Sequence, residues 1–565
     1  MSQTGPATRS SPAFDVLIPV QPTSMAWTAG EPSLSFPARQ KRRGWSLLAL
    51  LIGPAVLAGL GTWGLYRHGA YGSDESATRW AATLPLGKLF HVLAHVDAVH
   101  GLYYLTIHAW IVFGRGPVAL RLPSLIAAVL AAGVITELGR RLSGRLDVGI
   151  IAGLLYAISP VVMFYAQTAR SYAIVSLVVA SATLAFVRAL EAGRDGASSK
   201  VQIRRWVGYG ALIALGGWLN EIALLAVVAH AVTLVVTGYP RRVRLQWLVT
   251  SIVAVAMVVP LFVISNGESA AVDWVTKPTP HDLLTLLRDF FGPNPVVMVA
   301  MIGCTVFACI PRLRTRSALK AGTAREAWRT RGPASLVSVA LPLLVVPPVL
   351  LIVESELTTP LYVERYLLYS VIGAVLLIAE GALRIGHRIM GVNRYAWVWI
   401  PALAMTLITF AVQLPTQQLI RTPDARLRDF GAPAKYIGHH AQPGDGVLYF
   451  SSFFRLVALG YPDDFRNLTD VGVGQTPEQA GTFRGVDTSF EVAAARMLTH
   501  NRLWVIGRQP LGTQPTTLND EERDLLVDDF HLVRLVQFHG LTVSLFERRS
   551  LRLSSVEFSH RTGAL

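Results

Sequence analysis

Apolar and polar positions alternate on two scales along this chain. Up to about residue 415, long apolar runs are separated by short basic or polar breaks. Runs of about 17–25 apolar residues are long enough to cross a bilayer as helices. They fall at roughly 45–65, 117–139, 147–166, 172–190, 206–219, 221–238, 246–264, 294–311, 335–353, 366–383 and 395–413. One further stretch, Leu102 to Phe113, is only about 12 residues long and contains His108, too short for a span. Beyond residue 415 the pattern changes. Pro443-Gly444-Asp445-Gly446 reads as a turn before a strand, Val447 to Phe450, and Leu503 to Ile506 reads as another. Asn519-Asp520-Glu521-Glu522 opens a helix to about Phe530. Two β-rich segments then flank a hairpin turn at His539-Gly540.

Composition agrees with the pattern. Of the 565 residues, 52% are hydrophobic and 15% charged, against about 25% charged in soluble proteins. The net charge of +15 does not imply a nucleic-acid partner, because the basic residues lie between apolar runs. The charges also fix a topology. If 102–113 lies along the membrane surface, Arg140-Arg141-Arg145, Arg204-Arg205, Arg241-Arg242-Arg244, the run from Arg312 to Arg331 and Arg384-Arg388-Arg394 share the side of Lys41-Arg42-Arg43. That is the positive-inside arrangement, with eleven spans and an interfacial helix. Regions 66–116, 167–172, 265–293 and 354–365 and the C-terminal segment then face outward.

The expectation is a polytopic α-helical membrane protein of the cytoplasmic membrane. Residues 1–40 form a disordered cytoplasmic tail. Residues 41–414 form the transmembrane domain, with the interfacial helix 102–113 in the first outward loop, 66–116. Residues 415–565 form a small extracytoplasmic α/β domain. No cleavable signal peptide is visible, so the first run acts as an uncleaved anchor. Cys304 and Cys309 share one apolar run and read as free thiols.

The candidate chemistry gathers on the outward side. Asp74-Glu75 follows the first span, and adjacent acids at the lip of an apolar bundle are costly to hold there. A carboxylate can take the proton of a sugar hydroxyl as it attacks an anomeric carbon; the bland alternative is a solvated pair at a helix end. His91 and His95 share a helical face, and Asp97 and His100 are three apart. This spacing suits phosphate binding. It also admits a divalent metal, Mg2+ or Mn2+, with Glu75, His95, Asp97 and His100 as candidate ligands. Arg170, in the turn Gln167-Thr168-Ala169-Arg170-Ser171-Tyr172, offers a planar donor fork for a lipid phosphate or an anchor at the headgroups. Arg365-Tyr366 at a late span reads the same two ways. Arg121 either pairs with an acid of the 66–116 region or marks the interface, a structural role, and Asn220-Glu221 reads as a turn, with Glu221 lining the cavity as the alternative.

In order, these motifs resemble the GT-C superfamily of membrane glycosyltransferases, in its family 39, protein-mannosyltransferase-like branch of actinobacterial type. The matching pieces begin with Asp74-Glu75 and His95-Val96-Asp97-Ala98-Val99-His100-Gly101-Leu102-Tyr103-Tyr104. Phe113-Gly114, Arg121-Leu122-Pro123-Ser124, the Gln167–Tyr172 turn and Arg365-Tyr366 follow. The resemblance covers roughly residues 45–415. It implies inverting transfer of a sugar, mannose first and arabinofuranose or another pentose next, from a polyprenyl-phosphate donor. The acceptor is a glycan, lipid or protein hydroxyl outside the membrane. Asp74 matches the family's catalytic acid, with Glu75 beside it, and Asp97, His100, Tyr103, Arg170, Tyr172, Arg365 and Tyr366 fall at the substrate. Two departures stand out. Thr168 and Ser171 replace the Glu and Pro expected in Gln-Glu-Ala-Arg-Pro-Tyr, and Asp97 and His100 stand where the lipid A aminoarabinose transferases carry Lys-Pro-Pro. The rival readings are a lipid or glycan transporter and a non-catalytic scaffold. Against a transporter, the spans are nearly free of charge, the acids gather at one face, and no internal repeat is visible.

Overall fold

The computed structural model describes residues 48–65, 70–267, 275–310, 334–390, 397, 399–508 and 520–549. The expected tail at 1–40, the basic run from Arg312 to Arg331 and Arg394 lie outside the described residues. Each of the eleven expected spans coincides with a helix or a bent helix pair. Five helices are long and apolar enough to cross a membrane on their own: Pro117–Ser143, Tyr172–Arg194, Leu336–Leu357, Glu364–Met390 and Trp399–Leu419. Three bent pairs raise the number to eight if each is one span. Local sequence sets several boundaries. Pro117 starts its helix at a position where the missing N–H is not needed, and Gly144 ends it in the left-handed region at φ 72°. Pro160 separates Leu146–Ile158 from Pro160–Ala166, which bend by 64°.

The protein is membrane-embedded, and its helices meet through small residues, as expected where lipid supplies no hydrophobic drive between helices. A Cβ on Gly149 would run into the Thr136 carbonyl, and one on Gly381 into the Cys304 carbonyl. One end of the bundle carries ion pairs, Glu137 with Arg140 and Arg141, Arg141 with Glu191, and Glu380 with Arg384.

The opposite end carries residues 70–116, which fold into short helices. Ser73–Thr83 begins after Gly72, with Asp74 and Glu75 in the first turn, where carboxylates complement the helix dipole. Leu86–Leu93, a 3-10 turn at Ala98–His100 and Gly101–Trp110 follow.

The C-terminal segment forms the expected strands in a five-stranded sheet, ordered β2 (Thr469–Asp470), β1 (Gly446–Tyr449), β5 (Arg502–Gly507), β7 (Leu541–Arg548) and β6 (Phe530–Phe538). β1 runs parallel to β2 and β5, whereas β7 is antiparallel to β5 and β6. All four residues of β1 are buried, as in a strand covered on both faces. The β6–β7 turn uses Gly540 at φ 72°. The bundle and this domain belong to one compact unit, Ser46–Leu565.

Candidate active site

Asp74 and Glu75 are neighbours with opposite surroundings. The Glu75 side chain is 1% exposed and the Asp74 side chain 39%. Arg121 grips Glu75 with two bonds, Nε to Oε1 at 2.8 Å and Nη2 to Oε2 at 2.9 Å. The Ala169 N–H donates to Oε1 at 2.9 Å, the Gly72 N–H to Oε2 at 3.4 Å, and Arg426 also donates to Oε2. Burial alone would raise the Glu75 carboxyl, but Arg121 and then Arg426 hold it well below the ordinary range. Both oxygens are occupied, so Glu75 acts as a buried staple. It joins the helix Ser73–Thr83 to the span Pro117–Ser143, to the 167–171 turn and to the C-terminal domain. This leaves Glu75 no free oxygen for the metal that the sequence admitted there. Arg121 has the structural role read from the sequence.

The turn at 167–171 is locked from several sides. Gln167 Nε2 donates to the carbonyls of Gly61 at 2.7 Å and Trp63 at 3.0 Å. Thr78 Oγ1 donates to Ala169 O at 3.1 Å, and Ser124 Oγ to Arg170 O at 3.0 Å. The fixed turn presents Arg170 to three partners. Its Nε lies 3.5 Å from Asp74 Oδ2, and its Nη1 lies 3.3 Å from Asp97 Oδ2 and 2.6 Å from the Tyr104 hydroxyl oxygen. Burial pushes the Asp74 carboxyl up, while the charges of Arg170 and Arg365 push it down further. Asp74 is therefore ionised at neutral pH and partly open to solvent.

Asp97 is the one non-glycine residue at positive φ among the described residues, at 61°. Asp tolerates this region better than most residues, and such backbone collects at functional sites. Here it delivers the carboxylate to His100 Nδ1 at 2.9 Å, to the Tyr104 hydroxyl and to Arg170. Burial raises the Asp97 carboxyl, but His100 and Arg170 hold it well below its usual range. An ionised carboxylate only accepts, so His100 Nδ1 carries the proton. Among the described residues, the buried His100 Nε2 has no hydrogen-bond partner.

Aromatic rings line the cluster. Tyr172 meets His100 at 6.1 Å, Tyr165 at 5.2 Å and Tyr366 at 6.1 Å between ring centroids, and Arg365 lies over the Tyr366 ring at 5.7 Å. Tyr103 is fully buried beside Tyr104, and burial drives its hydroxyl pKa upward. Asp74, Asp97, His100, Arg170, Tyr172, Arg365 and Tyr366 thus come together, with Tyr103 packed behind them.

The candidate metal set does not assemble. Glu75 is consumed by two arginines. His95 is exposed, its Nδ1 2.7 Å from the His91 carbonyl, against Gly481 of the C-terminal domain. Among the described residues no group of three or more His, Cys, Asp or Glu side chains could hold an ion. Glu221 accepts a hydrogen bond from Ser265 at 2.8 Å, consistent with a turn role.

Two contributors escaped the sequence reading. Arg426 reaches Glu75 from 351 residues away, and Phe483 packs edge-on against both Trp80 and Tyr104, at 5.6 and 6.3 Å. No local motif marks either one.

Residues 100–264 match the family model described as dolichyl-phosphate-mannose-protein mannosyltransferase. The match begins at His100 and includes Arg170, and it stops short of Asp74 and Arg365. No curated protein sequence matches the chain significantly. The fold is similar to that of ArnT from Cupriavidus metallidurans. In the apo state the identity is 14%, with 89% of this chain and 98% of that chain covered and a TM-score of 0.54. The ArnT structure bound to undecaprenyl phosphate gives 13% identity, the same coverages and a TM-score of 0.52. The archaeal oligosaccharyltransferase AglB from Archaeoglobus fulgidus, in complex with an inhibitory peptide and a dolichol-phosphate, aligns at 12% identity. It covers 82% of this chain and 69% of that chain, with a TM-score of 0.42. The fold expected from the sequence, a polytopic helical bundle with a C-terminal α/β domain, is the fold found, and it is shared with ArnT.

Proposed function

We propose that this chain is an inverting glycosyltransferase. It moves a sugar, mannose by preference, from a polyprenyl-phosphate donor to an acceptor hydroxyl at the outer face of the cytoplasmic membrane. The observation that carries the reading is the accessible, ionised Asp74 carboxylate held 3.5 Å from a buried arginine. The partial family match and the ArnT-like fold support the donor class.

The donor lipid lies between helices, with its phosphate beside Arg170 and Arg365. The acceptor oxygen attacks the anomeric carbon as its proton passes to Asp74. The bond from that carbon to the phosphate oxygen breaks, and its electron pair leaves with the phosphate. Attack opposite the leaving group inverts the anomeric configuration. The guanidinium charges stabilise the anion as it develops, and in a site largely closed to water this stabilisation is strong. His100 Nε2, held in place through Nδ1 by Asp97, supplies a polar contact to the donor. Tyr172 and Tyr366 offer ring faces to the sugar. Donor binding also tunes the base: a phosphate offsets the arginine charges that depress the Asp74 pKa, so the carboxylate becomes more basic when substrate is present. No step is routed through a metal.

The test is transfer from purified polyprenyl-phosphate mannose in proteoliposomes, with the product's anomeric configuration read by NMR. Inverted product and released polyprenyl phosphate are expected. A product with the donor's configuration, or transfer from a nucleotide sugar alone, contradicts the reading.

A further inference from the structure

Outside the site, some arginines of the C-terminal domain have carboxylate partners among the described residues. Arg455 binds Asp470 and Asp487, and Arg502 lies near Asp445 and Glu547. Others do not, and three of these lie together. Arg428, Arg484 and Arg508 come from separate segments and have no ion pair among the described residues.

The three gather at the carboxyl ends of the parallel strands β1 and β5, the position where open α/β sheets bind ligands. Phe453 follows β1, and Arg508 is the residue immediately after β5. The Arg428 guanidinium lies over the Phe453 ring at 5.0 Å and that of Arg484 at 5.8 Å. A guanidinium stacked on an aromatic face keeps its N–H edges free for bidentate contact with an oxyanion. Arg508 leaves β5 where Gly507 pairs with Thr542, beside the Gly540 turn that packs on Arg428. Burial first, and then this like charge, lower the Arg428 pKa. The position of Arg428 is itself fixed, because the β6–β7 turn packs Gly540 onto its backbone and Cγ, leaving no room for a Cβ at that glycine. The segment after Arg508, residues 509–519, contains no Asp or Glu. Held cations without a countercharge are a ready-made anion site.

We propose that Arg428, Arg484 and Arg508, gathered around Phe453, form an anion-binding subsite that takes a phosphate group carried by the acceptor. Calling the ligand an acceptor rests on the transferase reading; the anion site itself does not. The placement suits the role. Arg426, two residues before Arg428, bonds the carboxylate next to Asp74. Two residues of chain span at most about 7 Å. The backbone that carries Arg428 is thus tied, two residues away, to the catalytic helix.

The experiment uses the full-length protein in phosphatidylcholine nanodiscs and inorganic pyrophosphate as the probe, titrated by calorimetry. Saturable binding that weakens with salt is expected. Arg428→Gln and Arg508→Gln should each weaken it by roughly tenfold, the scale of one charged hydrogen bond. Arg484→Gln, at an exposed position, repeats the test where packing is least disturbed. Pyrophosphate binding that depends on the three arginines should persist in Asp74→Asn and in Arg170→Gln, whatever the second variant loses at the donor site. Binding that disappears in Arg170→Gln but survives all three glutamine variants belongs to the donor site and overturns the proposal, as does an absence of binding. If phosphatidylglycerol in the nanodisc displaces the probe, the cluster serves lipid headgroups and the acceptor assignment fails. Failure of sugar transfer leaves every one of these readings intact, because none depends on turnover.

Discussion

At the residue scale, one peptide bond separates a carboxylate available for chemistry from one used for architecture. Glu75 holds two arginines in a buried setting, so removing its charge leaves both uncompensated. Glu75→Gln should cost about 3–5 kcal/mol of stability, the scale of breaking a buried ion pair. The pH dependence has a definite sign. Glu75 and Asp97 have depressed folded pKa values. Their contribution is complete above the unfolded values, about 4.3 and 3.9, and is lost as pH falls from there toward the folded values. Thermal unfolding of the wild type should be steady above about pH 5 and weaken below it, and Glu75→Gln should flatten that slope. A variant that melts like the wild type across this range removes the staple assignment. The sequence showed that this acidic pair mattered, because adjacent acids beside an apolar span are expensive. It could not divide the labour between them, since the division depends on Arg121 and Arg426, 46 and 351 residues away.

At the element scale, the helix Ser73–Thr83 is held between the bundle and the C-terminal domain. The Tyr71 N–H donates to the Tyr461 hydroxyl at 2.7 Å, Arg79 reaches Leu459 O at 3.5 Å, and Phe483 wedges against Trp80 and Tyr104. Tyr104 in turn contacts Asp97 and Arg170. The domain thus buttresses the helix that carries the base. Phe483→Ala should lower kcat by roughly ten- to a hundredfold, as small misplacements do, with little change in donor KM. Phe483→Leu should restore much of the loss. An unchanged kcat for Phe483→Ala would show that the contact only adds stability. The helices were readable because crossing a bilayer demands about twenty apolar residues in a row. The C-terminal strands were readable from their turns and alternation. Their order was not, because the parallel pairing of β1 with β5 joins segments more than fifty residues apart and leaves no local trace.

At the scale of the whole molecule, the site residues from Asp74 to Tyr366 reach one end of the bundle from four separate stretches of chain. Single cysteines at exposed positions, in a background with Cys304 and Cys309 replaced, give a direct check of sidedness. Positions near residue 88 and in the C-terminal domain should react together with a membrane-impermeant thiol reagent applied from outside, and one at Arg204 should not. Labelling in the reverse sense would put the site in the cytoplasm. Asp74→Asn measured against the wild type is the most direct test of the central claim, that Asp74 takes the acceptor's proton. With polyprenyl-phosphate mannose as donor, the variant should fold and bind donor with wild-type affinity while transfer falls by about 10^2- to 10^4-fold, the range of general-base catalysis. Full transfer by a folded Asp74→Asn variant would contradict the account.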